Sequence, residues 1–447
     1  MHHPLSMHRR AFLHTAGSLL ATAGLPLHGW TQQRPKVVHP RATDGDDRYE
    51  PNWEQKLTVT VGPHKADLVG TSDRVIQAAV DYVARFRGGT VQILPGRYVL
   101  RNAIFLPSGI RLRGSGPDSV LTKIASRTVA LADDSDWYDQ EITLADAAGF
   151  EVGDGVVLRA KDSRHGNSIV IKRTLVARSG KRFKLDDGLR KNLWLSGRPT
   201  CATLFPLLTS ARTSDVVIEN LTLDGNGEHN DLLDGNYAGC IFLQDCNRYT
   251  IRDVEARNYH GDGISFQICH DVVVERCHCH HNTNLGIHPG SGSQRPLIRH
   301  NQIDHNNIGI FWCWGVKYGL AEDNQIDANR SYGISIGHCD TDNVMRNNRI
   351  TNSGKIGVLF RNATGGRDFW PNGNRVENNL IADSGGENGI AIDITGRPRG
   401  VRIAGNQLRE SRGPAKRIGI RIGKEVRRVE LVENHFQGFA RDIVDLR

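Results

Sequence analysis

The 447-residue chain predicts an all-β solenoid, a single-stranded parallel β-helix with an N-terminal capping helix and a small β insertion. Two observations carry this. The first is a phrase of glycine and alternating apolar residues: Gly239-Cys240-Ile241-Phe242, Gly263-Ile264-Ser265-Phe266, Gly286-Ile287-His288-Pro289 and Gly309-Ile310-Phe311-Trp312. It continues as Gly333-Ile334-Ser335-Ile336, Gly357-Val358-Leu359-Phe360, Gly389-Ile390-Ala391-Ile392 and Gly419-Ile420-Arg421-Ile422, with glycines 24, 23, 23, 24, 24, 32 and 30 residues apart. The second is a companion phrase on the same beat, from Ile298-Arg299-His300-Asn301-Gln302-Ile303 to Leu431-Val432-Glu433-Asn434-His435-Phe436. A recurring period of this length marks a solenoid. Apolar and polar residues alternate within each phrase, so each is a short strand with one face inward. Two or three such strands per repeat, with no helical period between them, make one coil. Coils about 4.8 Å apart stack equivalent slots into ladders.

Composition agrees. Glycine is abundant at 48 and methionine scarce at 3, as suits a turn-rich β protein. The formal charge of +8 permits an anionic partner such as an acidic polysaccharide or nucleic acid. Of the eight cysteines, Cys240 takes the inward slot of Ile264 and Cys279 that of Ile303, which reads as small core residues. The others have the option of pairing in an exported chain.

The chain opens with Arg9-Arg10-Ala11-Phe12-Leu13, an apolar run from Thr15 to Leu27, and no acidic residue before Asp44. This resembles a twin-arginine signal peptide, over residues 1–29, and implies the Tat translocation machinery as a partner and a periplasmic or secreted protein. The run is too short to span a bilayer, and no other segment approaches that length, so no membrane partner is expected once the signal is removed. Cleavage lowers the charge from +8 to +6, since Arg9 and Arg10 leave with no acid. Residues 30–55, with Pro35, Pro40 and Pro51, read as a linker.

Residues 56–135 hold the cap and first coils. Ser72 or Asp73 starts a helix through about Phe86, with Val75, Ile76, Ala79, Val80 and Val83 as its apolar stripe and Gly88-Gly89 as its stop. Such a helix covers the open core end of a solenoid. Strands follow at Thr90–Leu94, Tyr98–Leu100, Ile104–Leu106 and Ile110–Leu112. Residues 136–205 break the beat as a small antiparallel insertion with strands near Ile142, Val156, Leu175 and Phe183, either flanking a cleft or decorating the coil. Regular coils occupy 206–447, resuming at Val216. Gly88-Gly89-Thr90-Val91, Leu94-Pro95-Gly96-Arg97-Tyr98 and Leu112-Arg113-Gly114-Ser115-Gly116 resemble the opening of pectate-lyase-superfamily proteins. The resemblance covers roughly residues 60–440. It implies a right-handed parallel β-helix and specifies a fold more than a reaction.

Between the inward isoleucines the repeat points residues outward, giving a stripe of Ser265, Gln267, His288, Phe311, Cys313, Ser335, Leu359, Arg361, Ala391, Asp393 and Arg421. Around it gather Tyr259, His260, Asp262, Trp312, Trp314, Lys317, Tyr332, His338 and Asp340. Aromatic faces beside hydrogen-bonding groups suit a sugar chain, whose C–H faces stack and whose hydroxyls want polar partners. Alternation turns Trp312 inward, which makes it the weakest member.

Three other motifs read as structural. Gly333-Ile334-Ser335-Ile336-Gly337 fits G-x-S-x-G but lies on a repeat strand, not a strand-to-helix elbow. In Cys277-His278-Cys279-His280-His281 the cysteines share one strand face and the histidines the other, so one tetrahedral site does not use both, and no metal ligand is assigned. His281 and His305 share a slot one coil apart, placed to stack or to join a ligand site if neutral. Asn282, Asn306 and Asn329 form a turn ladder followed by Ser353.

Three reactions compete. His260-Gly261-Asp262-Gly263-Ile264-Ser265 is similar to the first acidic motif of polygalacturonase-type glycoside hydrolases, matching at Asp262, but the family's later aspartates and histidine fall at Asn284-Leu285 and Ile308. Hydrolysis then needs two carboxylates from Asp262, Asp340 and Asp342 across a cleft. Gly286-Ile287-His288-Pro289 resembles the Asp-Pro-His motif of alginate epimerases, with His288 at the aspartate and Gly290 at the histidine. β-Elimination on a uronic acid polymer needs a base, a carboxylate neutraliser and an acid. His288 or His260 serves as base, Lys317 or Arg361 as neutraliser, Tyr259 or Tyr332 as acid. Eleven Lys/Arg against two Glu between Arg397 and Arg428 extend a basic surface. No cofactor is required, though calcium has possible ligands in Asp262 or Asp340. The sequence thus predicts an exported lyase of an anionic polysaccharide. A glycoside hydrolase and a non-catalytic glycan-binding module are the alternatives, and a nucleic-acid partner is not expected.

Overall fold

The computed structural model describes residues 35, 37, 50–162, 165–362 and 365–447. The expected signal at 1–29 and most of the 30–55 linker lie outside the described residues.

Over the described residues the chain is an all-β, right-handed parallel β-helix with one capping helix. The helix, α1 (Asp73–Ala84), buries Ile76, Ala79, Val80 and Val83 completely against the first coil. Ser72 is its N-cap residue without a side-chain cap bond, and Asp73 instead accepts the Arg101 N–H at 3.1 Å. It ends at Ala84, short of the expected Phe86, whose ring is exposed. Two parallel sheets build the coils, one of 22 short strands and one of 11. A 6-stranded sheet between Thr128 and Ala202, antiparallel throughout, forms the insertion with its own core around Phe150, Leu158, Leu175 and Phe183. Among the described residues no helix is long and apolar enough to cross a membrane.

Register in the 11-strand sheet differs from the repeat phrases at two coils. Ile241, not Cys240, pairs with Ile264, so Phe242 stands in the outward slot of Ser265. Leu359 pairs with Asp393, not Ala391, because Ala391 fills the small-residue slot there and turns into the core. The phrase Gly389-Ile390-Ala391-Ile392 is therefore two residues out of step. Cys279 does pair with Ile303, and Cys240 and Cys279 are both core residues. None of the eight cysteines is joined in a disulfide among the described residues.

Asparagine ladders hold the turns, with a short one at Asn343 and Asn374 and two longer ones. From Asn301 through Asn324, Asn348, Asn379 and Asn406 to Asn434, each side-chain oxygen accepts the backbone N–H of the coil before it, at 2.9 to 3.1 Å. Asn282, Asn306 and Asn329 repeat the pattern one turn later.

One buried cation stands out. Lys123 is 2% exposed, donates to the Phe205 carbonyl at 3.0 Å and lies under the Phe205 and Tyr259 rings. Burial lowers its ammonium to about 7. The unfolded chain keeps this proton up to the ordinary lysine value, so between about pH 7 and 10 the unfolded state binds more protons and stability rises with pH. Lys123→Met should remove ~1.4 kcal/mol per pH unit from the slope of unfolding free energy in that window. Urea unfolding at pH 7, 8 and 9 checks this; an unchanged slope refutes it.

Candidate active site

The outer face of the 11-strand sheet offers one residue per coil. The row runs Phe242, Ser265, His288, Phe311, Ser335, Leu359, Asp393, Arg421. Its middle is not open. Ser265, Gln267 and His288 are each at most 5% exposed, because the 231–238 segment lies over them. Ser265 Oγ donates to the Gly235 carbonyl at 2.6 Å, and the insertion's Lys172 donates to the Tyr237 carbonyl at 2.6 Å. Gly235 sits so close that a Cβ there would come within 1.7 Å of Asp262 Oδ2.

Under that cover lies a dyad. Asp262, from the turn entering its strand, accepts the Nδ1–H of His288 at 2.8 Å and the Leu285 N–H at 3.3 Å. Burial raises the Asp262 carboxyl, and the bonds from His288 and Leu285 act against it. With Nδ1 committed, Nε2 carries the imidazole lone pair, and it is buried without a hydrogen-bond partner among the described residues. Ser265 Oγ stands 3.4 Å from His288 Nδ1 and accepts from Gln267 Nε2 at 3.1 Å. A Cβ at Gly290 would meet Gln267 Oε1 at 2.4 Å, so a larger residue there would displace the Gln267 amide.

Phe311 joins the dyad to a second group. Its ring meets His288 edge-on at 5.3 Å and carries the Arg361 guanidinium 4.2 Å above it. Arg361 donates to Ser335 Oγ at 2.8 Å and to the Trp312 carbonyl at 2.7 Å, and lies 3.8 Å from Asp340. Burial pushes the Asp340 carboxyl up to about 7, against Arg361 and the N–H groups of Val316, Gly337 and Gly315. Next to Arg361, Trp314 stacks on His338 at 5.1 Å, and Phe369 closes on both edge-on. Trp314 is 52% exposed, so this is an open aromatic shelf. Burial and Arg361 together lower the His338 imidazole. Beyond the shelf a cleft of about 880 Å³ is lined by Arg367, Arg397, Arg399, Lys424, Arg427 and Arg428, with Trp370, Asp368 and Glu425.

Several sequence candidates do not reach this surface. Tyr259 is a core residue whose hydroxyl donates to the Phe205 carbonyl at 3.0 Å. Trp312 is fully buried, as strand alternation dictates. Asp340 is fully buried with both oxygens engaged by backbone N–H donors at 2.9 Å, so its carboxylate does not reach this surface. His260 is diverted to the Asn230 carbonyl at 2.6 Å and lines a separate cleft with His229 and His281. Lys317 bridges Gln294 and Thr341 at the corner after Trp314, away from the dyad's hydrogen bonds. Tyr332, by contrast, is half-buried at the start of the strand that carries Ser335, paired between Ile308 and Ile356. The residues that sequence reasoning missed are Gly235, Phe242 and Phe369. Phe242 was hidden by the one-residue register error, and Phe369 by the 32-residue spacing, whose extra length is the loop that carries it.

Residues 239–408 match the family model described as the right handed beta helix region. No curated protein has a sequence that matches the chain. Among solved structures it is similar to the A-module of mannuronan C-5 epimerase AlgE6 from Azotobacter vinelandii, at 16% identity and TM-score 0.54, over 83% of this chain and 91% of that one. It is also similar to the surface adhesin PfbA of Streptococcus pneumoniae, at 13% identity and TM-score 0.52, over 83% and 89%. A third is a hyperthermoactive exopolygalacturonase from Thermotoga maritima, at 11% identity and TM-score 0.51, over 88% and 94%. These likenesses are of fold.

Proposed function

We propose that the chain is an exported enzyme acting on an anionic, uronic-acid-containing polysaccharide by β-elimination. The observation that carries this is His288 Nε2, a buried lone pair with no partner among the described residues, aimed by Asp262 through Nδ1. An imidazole so fixed is a general base awaiting a proton. In the reaction the C5–H proton passes to Nε2, the C4–O bond breaks, a C4=C5 double bond forms, and the leaving oxygen takes a proton. Arg361, across Phe311, supplies positive charge for the uronate carboxylate. With Tyr259 in the core, Tyr332, half-buried at the start of the strand whose Ser335 holds Arg361, is the tyrosine left as acid. The basic cleft past Phe369 suits a polyanion. Substrate reaches Nε2 only when the 231–238 segment gives way.

The hydrolase alternative loses support, because Asp340 is buried and Asp262 is occupied by His288. Two of the fold neighbours carry names of polysaccharide chemistry, an epimerase at C-5 and an exopolygalacturonase. C5 epimerisation starts with the same proton removal, so a panel of pectate, alginate, glucuronan and glycosaminoglycans is followed in three channels. Ultraviolet absorbance rising with reducing ends supports elimination. Inverted C5 configuration without absorbance moves the reading to epimerisation, reducing ends alone move it to hydrolysis, and silence leaves a binding protein.

The shelf carries its own prediction. Trp314→Ala should weaken polysaccharide binding about tenfold, the scale of one lost stacking contact. kcat should change far less, since Trp314 does not touch the dyad. Titration by tryptophan-independent calorimetry checks this, and unchanged affinity removes Trp314 from the site.

A further inference from the structure

The face opposite in chemistry to the buried dyad is a histidine cluster on the 22-strand sheet. His278 and His280 point outward from one strand while Cys277 and Cys279 turn into the core. Glu255 comes from the coil before, and Asp304 and His305 from the coil after. His280 Nε2 donates to Glu255 at 3.0 Å. His278 Nε2 and His305 Nδ1 donate to the two oxygens of Asp304, each at 2.7 Å. These bonds assign the protons, and they leave His280 Nδ1 as a lone pair. That atom faces His281 Nδ1 at 2.8 Å. His281 in turn stacks on His305 at 4.8 Å, and one ligand atom each from His280, His281 and Asp304 falls within a 4.8 Å circle.

We propose that His280 Nδ1, His281 Nδ1 and Asp304 bind one borderline divalent transition-metal ion such as zinc. Two imidazole nitrogens and a carboxylate oxygen are the donors such ions prefer. Metal–nitrogen bonds of about 2.0–2.1 Å bring cis ligand nitrogens to roughly 3 Å, close to the spacing already present. The outer partners are in place too. A metal-bound histidine ordinarily gives its second N–H to a carboxylate, and His280 gives Nε2–H to Glu255. His281 is exposed and lines a cleft of about 530 Å³ shared with His229 and His260, so an ion has an entry path and room for a water ligand. The ion ties adjacent coils together across the ladder. It is independent of the dyad and of the proposed reaction.

The test is the purified, untagged full chain, stripped with chelator, dialysed against Zn²⁺ or Ca²⁺ and desalted, with bound metal measured by elemental analysis. One equivalent of zinc and none of calcium are expected, with a zinc-dependent rise in melting temperature. His281→Asn, at an exposed position, should lose both the ion and the shift, and Glu255→Gln should weaken binding 10–100-fold. His288→Asn should keep the ion. Zinc retained unchanged by His281→Asn and Asp304→Asn would overturn the site, because the histidines near the N-terminus would then be holding it. No retained zinc overturns it as well.

Discussion

His288→Asn is expected to lower kcat on the polysaccharide substrate by 10²–10⁴-fold while leaving the melting temperature nearly unchanged. The choice of asparagine matters. Its Nδ2 occupies roughly the place of the imidazole Nδ1, so it still donates to Asp262 Oδ2, where the histidine does so at 2.8 Å. What disappears is Nε2, the ring nitrogen with a lone pair and no partner among the described residues. Alanine confuses the two effects, because it strands a carboxylate that is 0% exposed, and breaking a buried pair costs about 3–5 kcal/mol. Asp262→Asn is the complementary variant. It keeps a side chain under Gly235 but lets the imidazole take the wrong tautomer, which in comparable triads costs about 10⁴ in kcat. Equal losses in kcat, with KM nearly constant, identify the pair as one unit acting in the transition state. Full activity in His288→Asn sinks the assignment.

The solenoid was legible because its physics is periodic. Each coil must place an apolar residue every second position and a tight turn at the same beat, so the signal repeats and errors average out. Where one coil deviates, the averaging fails. Cys240 and Ala391 occupy small-residue slots that the phrase assigns to glycine, and Gly239 and Gly389 lie one and two residues before them, so a register drawn through the glycines is off by one and by two. The pairing of Asp262 with His288 depends on a cross-coil contact between residues 26 apart, which the stacked slots Ser265 and His288 already imply. Burial of that pair was not legible. It depends on the path of the 231–238 segment, which belongs to no repeat and whose contact with Asp262 turns on a missing Cβ at Gly235. The same holds for Tyr259, whose place beside the insertion turns an apparent sugar contact into core. The histidines at 278, 280 and 281 announced themselves in sequence. The two carboxylates that fix the tautomers of His278 and His280 came from neighbouring coils.

The largest effect on stability should come from the middle of an asparagine ladder. Asn348 is 1% exposed and makes four side-chain bonds. Its Oδ1 accepts the Asn324 N–H at 3.1 Å and Asn324 Nδ2 at 2.9 Å. Its Nδ2 donates to the Ala321 carbonyl at 3.0 Å and to Asn379 Oδ1 at 2.9 Å. Asn348→Ala leaves the Asn324 amide and the Ala321 carbonyl without partners where no water reaches, and each such group costs about 1–3 kcal/mol. The total should be about 3–5 kcal/mol, at the upper end for a single substitution. Asn434→Ala removes the same kind of bonds, to the Asn406 N–H and the Ile403 carbonyl, at the half-buried last rung. Water can replace those partners, so its cost should be about 1 kcal/mol. In a solenoid each coil contacts only its neighbours, so the Asn348→Ala defect should also raise amide exchange in the coils containing Asn324 and Asn379 before distant ones. Urea unfolding and hydrogen exchange read both effects. Equal costs at the two positions would mean that the ladder records the fold without holding it, and that inward packing of the isoleucines alone sets the stability of each coil.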